Sequence, residues 1–207
     1  MWLKKKEPEV GGHIGGFGLS DWWLQTFTPA ERKSISQSHS ETLSPVPGQD
    51  VLASGPMMHT AQGVVHFLWC MAGNRKEQER EIDYRIIQKA EELIDGNTSI
   101  EVQHFVFGSK AKIYYRWRET DDFAMDMAIE GCRQQIAISE KAARALEIDG
   151  DVPAHYGFKQ LAIIEEKRGN HSEAIRLCEQ AKADGWWGDW DKRITRLRKK
   201  SAKAQRG

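Results

Sequence analysis

The chain reads as all-α: helical hairpins stacked as a short α-solenoid, behind an irregular N-terminal segment. Three observations predict this. Apolar residues recur three and four apart through most of the chain beyond residue 77. The breaks between these runs are short and polar, built on Gly, Asn, Asp or Ser. The run from Ala154 to Asp184 splits around Arg168-Gly169-Asn170 into two such stretches of similar length, as a helical hairpin would.

Residues 1–20 are rich in Lys and Gly and end in GGHIGGFG, whose spacing does not match a dinucleotide loop, so a flexible segment is expected. Ser20-Asp21 then caps a short amphipathic helix carrying Trp22, Trp23, Leu24 and Phe27. Thr28-Pro29-Ala30-Glu31 reads as a second helix start, with Thr28 and Glu31 at capping-box spacing and Pro29 in the first turn. From Ser36 to Pro56 the composition turns to Ser, Pro, Gly and Gln, which predicts an exposed linker or loop. Residues 1–56 are therefore set apart from a helical domain over 57–203.

In that second part, Met57–Met71 is apolar nearly all round and predicts a buried helix. Glu77–Ile94 is amphipathic, with Ile82, Ile86, Ala90 and Leu93 on one face. Asp95-Gly96-Asn97 turns the chain and Thr98-Ser99 caps a helix over Ile100–Arg118. Further helices are expected over Phe123–Ile138 and Ser139–Ile148. In the hairpin that follows, Phe158, Leu161 and Ala162 face Ala174, Leu177, Cys178 and Ala181. Small residues at 162, 174 and 181 let two tightly connected helices cross closely. Gly169 suits a left-handed helix end, and Ser172 is positioned to cap the second helix. After a second Trp cluster (Trp186, Trp187, Trp190), a helix over Asp191–Lys203 would cover the open end of the stack with Ile194 and Leu197.

Phe158, Leu161-Ala162, Gly169, Ala174, Cys178 and Ala181 together resemble the tetratricopeptide repeat, clearest over residues 154–187 and degenerate over 100–138. In the upstream stretch Ala128 and Cys132 stand where Ala174 and Cys178 do. Two positions depart from the family pattern: Glu165 replaces an apolar residue and Gly185 a proline. The resemblance implies a protein- or peptide-binding adaptor whose first helices line a concave face. On this reading the face is offered by Tyr156, Lys159, Gln160, Ile163 and Lys167, with His104, Lys110 and Tyr114 from the upstream hairpin. Ile163 stands at one Asn position of the subclass that grips a C-terminal carboxylate, so that clamp is not expected here.

Thirty basic and thirty acidic residues cancel, so no global field favours nucleic acid. The alternative reading is a nucleic-acid or small-molecule binder, using the same groove or the basic run of Lys192, Arg193, Arg196, Arg198, Lys199, Lys200, Lys203 and Arg206. Three cysteines without a CxxC pair point to a reducing, cytoplasmic setting. No apolar stretch is long enough for a bilayer, so no membrane partner is expected. GxSxG, Walker, HExxH and calcium-loop patterns are missing. His66 and Cys70 lie one turn apart without a second pair. No catalytic residue, metal or cofactor is therefore expected; a second copy of the chain remains an open partner class.

Overall fold

In the computed structural model the GGHIGG stretch is a built element. The structure describes residues 10–42, 50–55, 57, 62–73 and 75–204, and the chain divides into two compact units, Met1–Val64 and Val65–Gly207.

In the first unit, α1 (Gly12–Gly16) is followed by α2 (Ser20–Thr26) and α3 (Pro29–Thr42). The first N–H groups of a helix lack partners within it. Here Gly11, Gly12, His13 and Ile14 donate theirs to the carbonyls of Ala53, Gly55, Val51 and Leu52, at 2.7–3.1 Å. A side chain at Gly12 would strike the Val51 carbonyl, and its φ of +58° is one that L side chains rarely adopt. The glycines thus serve close backbone contact, which corrects the flexible segment expected there for residues 10–20; residues 1–9 lie outside the described residues. The linker expected over 36–56 is corrected likewise. α3 continues to Thr42, and Val51 and Leu52 are buried, as are Ile14, Trp23, Phe27 and Ile35 of the same unit. Residues 43–49 and 56 fall outside the described residues. The capping box is present: Thr28 N donates to Glu31 Oε2 at 2.8 Å and Glu31 N to Thr28 Oγ1 at 3.3 Å.

The second unit is mostly helical. Its elements are α4 (Val64–Met71), a 3₁₀ turn at Glu77–Glu79, α5 (Arg80–Glu92), α6 (Ile100–Arg116), α7 (Ala124–Ala137), α8 (Ser139–Leu146), α9 (Tyr156–Lys167), α10 (His171–Ala183) and α11 (Trp190–Ala204). The helix expected from Met57 begins only at Val64; Met57, Gln62 and Gly63 are not helical, and residues 58–61 lie outside the described residues. Nor is α4 buried all round, since His66, Trp69 and Cys70 are partly exposed. Two short strands, β1 (Val152–Ala154) and β2 (Trp186–Trp187), pair in parallel on either side of the α9–α10 hairpin. They were not anticipated, because two or three residues carry no alternation to read.

Helices pack in chain order, α5 on α6, α6 on α7, α9 on α10 and α10 on α11, while α7 also packs on α9. One core runs through α6–α11, with Phe158, Leu161, Ala162, Ala174, Leu177, Cys178, Ala181, Trp186, Trp190, Ile194 and Leu197 all buried. The α9–α10 turn explains Glu165. Its buried carboxylate takes a hydrogen bond from Asn170 Nδ2 at 2.6 Å, and its carbonyl one from Asn170 N at 2.9 Å. α10 therefore opens after Asn170 and not at Ser172, and Gly169 supplies the left-handed link (φ +80°).

The closest helix contacts use glycine as well as the alanines read from the sequence. A Cβ at Gly131 of α7 would stand 2.7 Å from Ala111 N and 3.0 Å from Phe107 O, both backbone atoms of α6. Backbone cannot swing aside as a side chain can. Gly131→Val should therefore cost about 1–3 kcal/mol, a fall in Tm of roughly 2–4 °C per kcal/mol for a protein of this size. Gly96→Val, at an open turn with nothing near its Cβ, should leave the melt within about 0.5 kcal/mol. Thermal melts of both variants check this.

Candidate functional site

α6 and α9 present the residues singled out by the sequence, and side-chain caps start both helices. Ser99 Oγ accepts from Val102 N at 3.4 Å, and His155 Nδ1 accepts from Phe158 N at 3.2 Å. The eight expected binding residues divide into two groups. Lys159 and Lys167 are exposed, Tyr156 and Ile163 half-buried, and Gln160 buried at the 9 % level. His104, Lys110 and Tyr114 lie inside, which corrects their placement on an open face. Lys110, 1 % exposed, bonds Glu91 at 2.8 Å, Glu130 at 3.0 Å and Gln134 at 3.2 Å, joining α5, α6 and α7. Tyr114 stacks on Tyr84 with ring centroids 4.2 Å apart, and its hydroxyl accepts from Gln88 at 2.9 Å. Tyr84 in turn donates to Asp121 at 2.7 Å, which Arg80 holds through two bonds of 2.8 Å. The Arg80 guanidinium keeps the Asp121 carboxyl below its ordinary range. These polar groups are spent on holding helices together.

His104 belongs to a second interior cluster. Gln135, a buried polar residue on α7, donates from Nε2 to His104 O and His104 Nε2, both at 3.1 Å, and accepts from Gly157 N at 2.7 Å. One amide thereby keys α6, α7 and α9 together. His104 lies flat against Trp186 at 5.1 Å, and His155 meets the same indole edge-on at 4.6 Å. Both imidazoles use a ring nitrogen as acceptor, which requires the neutral form. Burial pulls His104 down to about 4; burial and the neighbouring His104 pull His155 down to about 3.

Outside this interior, the exposed face of α6 carries Phe105, Ser109, Lys112 and Arg116, spaced four, three and four apart. Trp69 of α4 stacks on Phe105 at 5.0 Å, hydrogen-bonds Ser109 Oγ at 2.8 Å, and takes His66 edge-on at 4.9 Å. Lys112 Nζ stands 5.9 Å from the centre of the Tyr156 ring, so the cations of α6 and the first turn of α9 share one surface. Arg118 covers Tyr115 at 4.1 Å and pairs with Glu119 at 3.1 Å. Lys112 and Arg116 form no ion pair among the described residues. The sequence reading missed this strip, although its helical spacing was there to be read; Gln135 could not be distinguished from a solvated glutamine.

Other chemistry is sparse. In the first unit, a cleft of about 610 Å³ is lined by Arg32, Ser36, Gln37 and Asp50 among others. Arg32 is committed to the carbonyls of Leu24 and Phe27, and Asp50 to Leu52, Ala53 and Ser54. Burial pushes the Cys132 thiol up to about 12 and Cys178 to about 11, and raises Cys70, whose Sγ lies 3.6 Å from His66 Nδ1. Among the described residues no three His, Cys, Asp or Glu side chains converge as metal ligands, and no helix is long and apolar enough to cross a membrane. Comparison with family models, with curated proteins and with solved structures returns no match to this chain.

The interior histidines make a pH prediction. Above pH 6.5 both rings are neutral folded or unfolded, and they contribute no slope. Below it the unfolded chain takes up protons that the buried rings refuse. Stability therefore falls as the pH drops from 6.5 toward 4, by up to about 1.4 kcal/mol per pH unit for each ring. His155→Asn keeps a capping acceptor and removes one titrating group. Urea melts between pH 7 and 4.5 should show a shallower acid slope for this variant than for the parent.

Proposed function

We propose that this chain is a non-catalytic protein- or peptide-binding adaptor built from tetratricopeptide-like helical hairpins, α6–α7 and α9–α10, with α11 covering the end. The observation that carries the reading is the shared surface of α6 and α9. There exposed Lys112 stands 5.9 Å from the half-buried Tyr156 ring, with exposed Arg116 a turn further along α6 and exposed Lys159 and half-buried Ile163 further along α9. Exposed cations set around partly buried aromatic and aliphatic side chains are the makings of a recognition surface. Such a surface also has a rigid base, since Gln135 and Lys110 tie its helices.

The nucleic-acid alternative draws less support from α11. Arg196 and Lys200 both pair with Glu166 at 2.6 Å, Arg198 pairs with Glu179, and Arg193 with Asp189. Much of the basic run is thus neutralised within the chain, which lowers what it could offer to phosphate.

Display of random 12-residue peptides against the full chain tests the proposal. Selected peptides should lose at least tenfold in affinity to Ile163→Glu and to Lys159→Glu, variants whose melting curves report any general unfolding. Peptides that bind both variants as tightly as the parent would place recognition elsewhere.

A further inference from the structure

The exposed strip of α6 has chemically different ends. At one end Phe105, 38 % exposed, stacks on Trp69, which His66 meets edge-on. At the other stand Lys112 and Arg116, one helical turn apart, beside Tyr156. Among the described residues of the second unit some exposed cations are matched, Arg176 with Glu173, Arg198 with Glu179 and Lys182 with Asp191, each at 2.7 Å, and others such as Lys141 and Lys192 are not. Lys112 and Arg116 are left without such a match among the described residues. The carboxylates nearest in sequence do not neutralise them, for Glu119 pairs with Arg118 and Glu101 lies a turn beyond Phe105, at the apolar end. Tyr156 also feels Arg116 and Arg118, which oppose the upward pull that burial exerts on its hydroxyl.

We infer that the strip Phe105–Ser109–Lys112–Arg116 docks an acidic peptide segment of a partner protein, with an apolar residue against Phe105 and Trp69 and carboxylates on Lys112 and Arg116. This rests on the peptide-binding reading above and names the ligand class for it. The dimensions set the spacing. At 1.5 Å per helical residue, Lys112 and Arg116 lie about 10 and 16 Å along α6 from Phe105. An extended peptide rises about 3.3 Å per residue. Its acidic residues therefore fall about three to five positions from the apolar anchor. The carboxylates are side chains of the segment, not a chain terminus. A peptide is favoured over nucleic acid because two cations, in a chain of zero net charge, make a poor phosphate track, whereas an aromatic platform one to two turns away suits an apolar anchor.

The test uses fluorescence anisotropy of the full chain with synthetic 14-residue peptides, labelled and C-terminally amidated. One carries a Trp anchor with Glu at positions three, four and five beyond it, so that the side-chain alternation of an extended peptide leaves an acid on the anchor's face; in the second all three Glu are Gln; in the third all three are Lys. An oligothymidine of the same length is the fourth probe. The first peptide should bind best, at least tenfold more tightly than the Gln version, and weaken as NaCl rises from 50 to 500 mM. Lys112→Glu/Arg116→Glu alters exposed positions only and should lose the first peptide at least tenfold while gaining the Lys peptide. Equal binding of the Glu and Gln peptides would overturn the acidic assignment and leave the peptide-binding reading standing. Preference for oligothymidine would overturn it in favour of nucleic acid. No binding of any of these peptides, together with an empty random-peptide selection, would overturn both readings.

Discussion

The second unit depends on how closely three helices can approach. Gly108 on α6, Gly131 on α7 and Gly157 on α9 each sit where a Cβ would fall within 3 Å of a neighbour. For Gly108 and Gly157 that neighbour includes the Gln135 amide; for Gly131 it is the α6 backbone itself. A glycine inside a helix costs about 1 kcal/mol of propensity relative to alanine. Here that cost is offset by contact between backbones and by a buried amide whose oxygen and nitrogen are both satisfied. The surface of α6 and α9 keeps its geometry because these contacts leave little room beneath it.

Helical periodicity and most turns were legible in the sequence, since they are local, whereas Ser20 and Ser172, read as caps, lie inside α2 and α10, which open after Leu19 and Asn170. Glu77–Ile94 and Ile100–Arg118 were readable to within a few residues because one face of each is apolar, and Ser99 and Gly169 mark ends by chemistry that acts within a single turn. What stayed hidden depends on partners far along the chain. The glycines of residues 11–16 look like a flexible tail until the carbonyls of 51–55 are placed beside them. Lys110 and His104 look solvated until Glu91, Glu130 and Gln135 close over them. On α9 the exposure of Lys159 and the half-burial of Tyr156 and Ile163 were legible because helical spacing alone sets them apart from Leu161 and Ala162. Phe105, Lys112 and Arg116 could have been found the same way.

Charge divides the surface in two. Toward α11, acidic residues of α9 and α10 meet the basic run, so that side is knitted together by pairs that salt would screen. Toward α6, cations remain exposed beside aromatic rings. The same zero net charge thus covers unlike stretches of surface, one where four cations of α11 are paired and one where Lys112 and Arg116 are not.

The parallel pairing of Val152–Ala154 with Trp186–Trp187 has a consequence of its own. The strands enter and leave the α9–α10 pair, so the chain between them forms a loop fastened at its base. Trp186, under both imidazoles, pins the fastening from inside. Neither helix can peel away without opening the clasp. Opening of the α9–α10 pair from its base therefore has to break the pairing of Val152 with Trp186 and of Ala154 with Trp187 as well as the helix contacts.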